Sequence, residues 1–263
     1  MARIVVCVKY VADPPEEAVV GHDLRLVRDE GKGRMGELDD YAVERALEFS
    51  SLSDDRRVCA LTMGPSGAEE ALRHALELGA DEAVLITDPA LAGSDVPATA
   101  KVLARAVTHL GDVDAVFCAM SSTDSATGLV PEMLAAELGW TPLTDAESVV
   151  EDGAEVRIRR SSATGNAEFA ATGPTVVSVT DQSGEVHYPS FRDLRTARRT
   201  PIATLALDDL GLDESQVGTN ASRLQVLDVQ PIPARESERR ILVDKDGSAA
   251  EELARYITEI TRD

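Results

Sequence analysis

Asp114-Ala-Val-Phe-Cys-Ala-Met120 followed by Ser121-Ser-Thr-Asp-Ser-Ala-Thr-Gly128 is the stretch that decides the fold. The first half is an apolar run of strand length. The second gathers hydroxyls, one carboxylate and a glycine, and Leu129 to Gly139 beyond it is a helix candidate. A polar turn between a buried strand and a helix leaves backbone N–H groups free at the positive end of the helix, where a phosphate is stabilised. The loop contains no lysine, so it is not a phosphate loop of the Walker type. It suits holding a nucleotide rather than splitting one. The same residues also suit an ordinary N-cap and polar turn.

Working outward, the strand signature repeats. Ile4-Val-Val-Cys-Val8, Val58 to Met63, Ala83 to Ile86 and Ala115 to Cys118 are continuous apolar runs, as in parallel strands buried on both faces. Helical spacing fills the gaps at Tyr41 to Phe49, at Ala68 to Leu78 before Gly79, and at Val96 to Leu110 before Gly111. This alternation predicts a doubly wound α/β domain with a mainly parallel sheet. Ligands of such sheets sit outside the carboxyl ends of the strands. Those ends are Lys9 to Asp13, Met63 to Ser66, Thr87 to Pro89 and the loop at Ser121.

From Ser148 the pattern changes. Glu155 to Arg159, Ala167 to Ala170 and Thr175 to Val179 read as short strands of a β extension added to the sheet, punctuated by Gly153 and Gly173-Pro174. Ser190 is placed to cap a short helix with Arg192, Arg195, Arg198 and Arg199 on its exposed face. Val217 to Arg240 has little periodicity and includes Pro231 and Pro233, before an amphipathic helix at Ala249 to Ile260. Such a tail suits an arm lying on another subunit. The expected division is an α/β domain over 1–185, a recognition loop and basic helix over 186–207, and a C-terminal arm over 208–263.

Composition narrows the function. The 263 residues are 43% hydrophobic and 28% charged, and aromatics are only 3%, so the core must be aliphatic. A formal charge of −21 argues against nucleic acid and against an anionic membrane surface, and favours partners with basic faces. Cys7, Cys59 and Cys118 fall in strand candidates and read as buried thiols of a reducing compartment. The four histidines show no metal-ligand spacing. Neither a signal peptide nor a run long enough to span a bilayer is evident, so the expected location is cytoplasmic, with no membrane insertion. Gly31-Lys-Gly-Arg-Met-Gly36 matches G-x-G-x-x-G, but it follows a polar hairpin rather than the first buried strand, so it is set aside as a dinucleotide fingerprint.

These residues together resemble the electron transfer flavoprotein β subunit family. The resemblance is carried by Val5-Val-Cys-Val-Lys9 with Asp13, Leu38-Asp-Asp-Tyr-Ala-Val-Glu-Arg-Ala46, Met63-Gly-Pro65 and Leu78-Gly-Ala-Asp81. Leu138-Gly-Trp140, Tyr188 to Arg199 and Asp209-Leu-Gly-Leu-Asp213 continue it over nearly the whole chain. It implies a Rossmann-like fold and a heterodimer whose α subunit holds the redox FAD. The β subunit then buries a structural AMP, or a second FAD in electron-bifurcating members. By position, the nucleotide would touch Cys7, then Gly36, Glu37, Leu38 and Asp39, then Met63. It would also touch Ala119, Met120, Ser121, Ser122, Thr123, Asp124, Ser125, Ala126, Thr127, Gly128, Leu129 and Val130. Tyr188, Pro189, Ser190 and Phe191, with Arg192, Arg195, Arg198 and Arg199, would dock a partner dehydrogenase, with Phe191 as the anchor.

The resemblance further implies an electron carrier without bond chemistry of its own. It would accept electrons from acyl-CoA or other flavin dehydrogenases, as in fatty acid oxidation, and pass them to a quinone-linked oxidoreductase. The sequence departs from the family at several places. Gly36-Glu37 stands where the family often has Asn-Pro, Asp124 is a lone acid in its loop, Gly184-Glu-Val-His187 replaces Asn-Glu-Pro-Arg, and Pro14 replaces an aromatic. A stand-alone adenine-nucleotide-binding module fits the bare α/β pattern. A nucleotide-activating ligase or transferase would need a nucleophile–base pair, a metal cluster or a gripping lysine, and the sequence offers none of these.

Overall fold

The computed structural model describes residues 2–13, 19–27, 33–230, 241–244 and 247–260. The chain divides into two units, Met1–Leu227 and Asp228–Asp263. The first opens with β1 (Ala2–Cys7), a hairpin of β2 (Tyr10–Ala12) and β3 (Gly33–Met35), and α1 (Glu37–Ser50). There follow β4 (Arg56–Met63), α2 (Glu69–Glu77), β5 (Glu82–Ile86), α3 (Val96–Leu110), β6 (Val113–Ala119), α4 (Val130–Leu138) and β7 (Thr141–Ala146). Three strands come next, β8 (Ser148–Asp152), β9 (Glu155–Ser162) and β10 (Gly165–Thr172), then β11 (Thr175–Val179), α5 (Phe191–Ala197), β12 (Ala203–Leu205) and α6 (Gly218–Ala221). The second unit carries α7 (Ala249–Ile260).

Seven strands form one sheet in the order β12-β5-β4-β1-β6-β11-β7, and every neighbouring pair is parallel. The expected doubly wound α/β architecture is therefore present. Alternate residues of each central strand serve two cores. Ile4, Val6, Val58, Ala60, Ala115 and Phe117 pack on the side of Ala42, Val43, Leu72 and Ala75 from α1 and α2. Val5, Cys59, Leu61, Val116 and Cys118 pack on the opposite side, with Val102, Leu103 and Val107 of α3 and Leu134 of α4. Two covered faces are the reason these strands read as unbroken apolar runs. Pro142, which cannot donate to a ladder on both sides, sits in β7 at the sheet edge.

The β extension divides differently from its sequence reading. β8, β9 and β10 form a separate antiparallel sheet, as their mixed polar sequences allow. Of the extension, expected to add to the main sheet, only Thr175 to Val179 does so, between β6 and β7. All five of its residues are buried, which is what an apolar run needs and what an extension with an exposed face cannot supply. The bidentate pair of Arg56 and Glu151, at 2.7 and 2.6 Å, ties the start of β4 to β8, and the Arg56 guanidinium stacks on Phe49 at 4.7 Å.

The compact unit also continues past residue 208. Leu207, Leu210, Leu212 and Val217 are buried in the core on the α3 side. The Gly218 N–H donates to Ser94 Oγ at 3.0 Å. Gly218 has φ +59°, and a Cβ there would meet the Ala90 carbonyl oxygen at 1.9 Å, so only glycine closes this contact. In α7, Leu253, Tyr256 and Ile257 are exposed and share one face at i, i+3, i+4 spacing. Pro231 and Pro233 lie outside the described residues, as does Pro14.

Candidate functional site

The order of the sheet creates the site. From β1 the chain moves by α1 to β4 and by α2 to β5, then α3 carries it back to β6 on the other side of β1. The loops leaving β1 and β6 therefore diverge, and the crevice between them is the position where doubly wound sheets hold ligands. Cys7 and Cys118 stand opposite each other in the β1–β6 register at its floor. Cys118 is buried, and its contact with Cys7 together with that burial holds its thiol well above the usual range. Cys7 is half-buried rather than fully buried as expected, because it sits at the open end of β1. Burial pushes the Cys59 thiol up to about 12, so it behaves as a small apolar side chain.

Three polar groups surround this floor. The Lys9 N–H donates to Asp39 Oδ2 at 2.8 Å, and the Lys9 carbonyl accepts from the Gly36 N–H at 3.0 Å. The end of β1 is thus stitched to the start of α1. Burial drives the Asp39 carboxyl up to about 7, although the backbone N–H groups of Lys9 and Gly36 oppose the shift. A side chain at Gly36 would bring its Cβ within 3.0 Å of Asp39 Oδ2, so the small residue lets the carboxyl close over the helix start. On the other wall, Met63 ends β4, and Thr62 Oγ1 donates to the Val8 carbonyl at 2.7 Å.

Lys9 spans the crevice. Its Nζ lies 2.6 Å from Asp124 Oδ1, 3.0 Å from Ser122 Oγ and 3.0 Å from Ser125 Oγ. The loop has no lysine of its own, yet one is delivered to it from the neighbouring strand end. Sequence reading placed this residue at the ligand-facing end of the first strand and in the family signature, but not among the nucleotide contacts. The signal that could have found it is the strand order, which places the residue after β1 beside the loop after β6. Within the loop, the Ala126 N–H donates to the Ser122 carbonyl at 2.9 Å, with Ala126 at φ +46° and Gly128 at φ +63°. A non-glycine residue in the left-handed region is unusual and costs free energy that the surrounding structure must offset. Ala119 is buried, Met120 and Ser121 half-buried, and Thr123 and Thr127 exposed. Leu129 precedes α4 without a side-chain cap, Val130 is its first residue, and Pro131 follows in the first turn.

Not every expected contact residue gathers there. Glu37 and Leu38 line a separate cleft of about 440 Å³ with Tyr41, His74, His187 and Tyr188. Asp39 alone of that helix start turns to the crevice through its bond to Lys9. Glu132, one turn into α4, was not singled out from sequence, and its Oε2 is buried without a hydrogen-bond partner among the described residues. Gly33 of the discarded glycine pattern is a strand residue of β3, paired with Ala12, and Gly31 and Lys32 lie outside the described residues.

The segment Tyr188 to Arg199 is built in the opposite way. Ser190 caps α5, donating its own N–H to Asp193 Oδ2 at 3.0 Å and accepting the Asp193 N–H at 3.3 Å. Arg73 donates to the carbonyls of Ala197 and Thr200, fixing α5 on α2. His187 meets Glu44 of α1, and Arg45 donates to the carbonyls of Ser183 and Glu185. On this anchored base Tyr188 is 94% and Phe191 93% exposed, so Phe191 does not pack into its own core. Pro189 lines the cleft below them. Arg192, Arg195, Arg198 and Arg199 are exposed, and none forms a salt bridge among the described residues. The helix ends at Ala197, so Arg198 is its C-cap and Arg199 lies beyond it rather than on its face.

Comparison with known proteins assigns the family. The electron transfer flavoprotein domain matches residues 23–210. The chain is 32% identical over 262 residues to the electron transfer flavoprotein subunit beta of Mycobacterium tuberculosis, covering 98% of each chain. The chain belongs to the electron transfer flavoprotein β subunit family. It is also 31% identical over 252 residues to Protein FixA of Azorhizobium caulinodans, covering 92% of this chain and 88% of the relative. Identity to the Caffeyl-CoA reductase-Etf complex subunit CarD of Acetobacterium woodii is 29% over 233 residues, 89% of each. Members of this family serve electron transfer. No helix among the described residues is long and apolar enough to cross a membrane.

Proposed function

We propose that this chain is the β subunit of a heterodimeric electron transfer flavoprotein, with the redox FAD held mainly by an α subunit and a structural AMP bound by β. The observation that carries this reading is the crevice between β1 and β6, where Lys9, Asp39 and the Ser121–Gly128 loop converge beside the start of α4. The donor set fits a phosphate: one ammonium, two hydroxyls and a helix start without a side-chain cap. Cys7, Met63 and Ala119 offer the apolar wall that an adenosine needs. The nucleotide supplies cohesion rather than chemistry here, and the flavin of the partner carries the electrons.

The chain then performs no bond chemistry itself. It frames the flavin site, stabilises the heterodimer with its C-terminal segment and presents Tyr188 to Arg199 to flavin dehydrogenases, before the reduced complex meets a quinone-linked acceptor. Phe191 supports the docking role because an aromatic ring left in water on a rigid base suits the central anchor of a transient interface. A second FAD in the crevice is the alternative occupant.

Co-expression with the candidate α subunit, followed by an absorbance spectrum and mass spectrometry of the released nucleotides, tests the reading. One FAD and one AMP per heterodimer is the expected result. Two FAD identifies the alternative occupant. A chain that forms no flavin-containing complex yet binds adenine nucleotide overturns the electron carrier in favour of a stand-alone module.

A further inference from the structure

The contact of Lys9 with Asp124 admits two roles that differ in a measurable way. The stem of Lys9 is fixed at both backbone atoms, its N–H on Asp39 and its carbonyl on Gly36. The ammonium is thereby aimed at one point, where Asp124 Oδ1, Ser122 Oγ and Ser125 Oγ surround it. Ser122 Oγ and Ser125 Oγ are 2.8 Å apart, so the two hydroxyls form a pair in front of the ammonium. The Asp124 side chain is 6% exposed while that of Lys9 is 37% exposed. The carboxylate is therefore covered, and the lysine remains partly open to solvent. A tetrahedral phosphate accepts hydrogen bonds from an ammonium and hydroxyls, and it is repelled by a carboxylate at the same place.

We infer that Lys9 is the residue that recognises the nucleotide phosphate, and that Asp124 offsets its charge, so this pair sets the preference of the site for a nucleotide over the bare nucleoside. The inference rests on the nucleotide reading of the crevice proposed above. The competing role is a strut that merely orders the loop. A strut works through the bond between the two side chains, so removing either end has the same sign for every ligand. Phosphate recognition gives the two ends opposite signs, and only for a ligand that carries phosphate.

The test is calorimetric titration of the full chain, purified with its α subunit and cleared of endogenous nucleotide, using AMP and adenosine as probes. Lys9→Met is expected to weaken AMP binding roughly 10- to 100-fold and adenosine binding by less than about 3-fold. Asp124→Asn is expected to tighten AMP binding about 3- to 10-fold and to leave adenosine unchanged. Lys9→Arg should fall between wild type and Lys9→Met. Should Lys9→Met not fold, the sign of Asp124→Asn still decides. Weaker binding of both probes in both variants makes the pair a strut and overturns the inference. Wild type that binds neither probe, nor FAD, removes the nucleotide reading itself, and the assignment of Lys9 with it.

Discussion

The two candidate functional regions are built on opposite plans. In the crevice, nearly every polar group already has a partner within the chain: Lys9 with Asp124 and two serines, Asp39 with the Lys9 N–H, and Thr62 with Val8. In the Tyr188 to Arg199 segment only the base is wired, through Ser190, Arg73 and Arg45, while two aromatic rings and four arginines are left to water. A small ligand offers little binding surface, so its site gains from groups ordered in advance. A passing protein offers a large surface, so its anchor can remain solvated until the partner covers it. Changes in the crevice should therefore register first in stability and nucleotide content, and changes in the segment in partner traffic alone.

The largest expected effect is at Asp39. Its folded-state value of about 7 lies above the ordinary 3.8, so between those values the folded chain holds a proton that the unfolded chain releases. Stability from this group is greatest at low pH, falls as pH rises from about 4 to about 7, and stays low above. Asp39→Asn removes that slope and should stabilise the chain at pH 8 by up to about 4 kcal/mol, while leaving it unchanged near pH 4. Chemical denaturation at the two pH values checks this. An equal gap at both would mean that the carboxyl is not protonated by burial. Hydrogen bonding to Asp40 raises His74, whose contribution is complete below about 6.5 and lost as pH rises through its higher folded value, so the two slopes share a direction.

Next in size is Phe191→Ala. Truncating an exposed central anchor should cost about 2 kcal/mol of partner binding, near 30-fold in the rate of electron transfer at limiting dehydrogenase. Its melting temperature should match wild type, because the ring is almost wholly in water. A large loss of stability would show that the ring supports the fold, and the contrast between the regions would fail there.

The sequence made the scaffold legible because burial on two faces writes itself as unbroken apolar runs, as in Val58 to Met63 and Ala115 to Cys118. That β8 to β10 leave the main sheet while Thr175 to Val179 joins it was not legible, because strand order is a long-range property. The cap at Ser190 was legible since the capping box is local. The compact unit extends further than the sequence reading had it, because Leu210, Leu212 and Val217 are too widely spaced to show a period, yet all reach the core. Lys9 illustrates the limit within the site. Its role follows from being next to a loop more than a hundred residues away, which no local pattern records.

A smaller effect, about 1 to 2 kcal/mol, is expected for Gly128→Ala, because φ +63° strains any side chain, although the new Cβ would meet nothing closer than ordinary contact with the Met120 carbonyl oxygen. The variant should melt earlier and release nucleotide faster, while its reduction by a dehydrogenase at saturating complex stays near wild type. Ala126→Gly, at φ +46°, should move stability the other way by roughly 1 kcal/mol or less. Equal losses of nucleotide retention and dehydrogenase docking in Gly128→Ala would show that the two regions are coupled.

The smallest effect separates the regions by their response to salt. Arg192, Arg195, Arg198 and Arg199 are exposed and without salt bridges among the described residues, in a chain of net charge −21, so their field acts outward on an approaching surface. Raising ionic strength from 0.01 to 0.15 M shortens the screening length from about 30 to about 8 Å and should slow association with an acidic dehydrogenase. Arg198→Gln and Arg199→Gln should each lower the association rate about 2-fold at low salt and flatten its salt dependence, leaving dissociation unchanged. The Lys9–Asp124 pair has its carboxylate covered, so the affinity of the crevice for adenosine should not follow the same curve. If charge removal at Arg198 and Arg199 alters dissociation instead, these arginines are buried in the complex, and the segment docks through its charges as much as through Phe191.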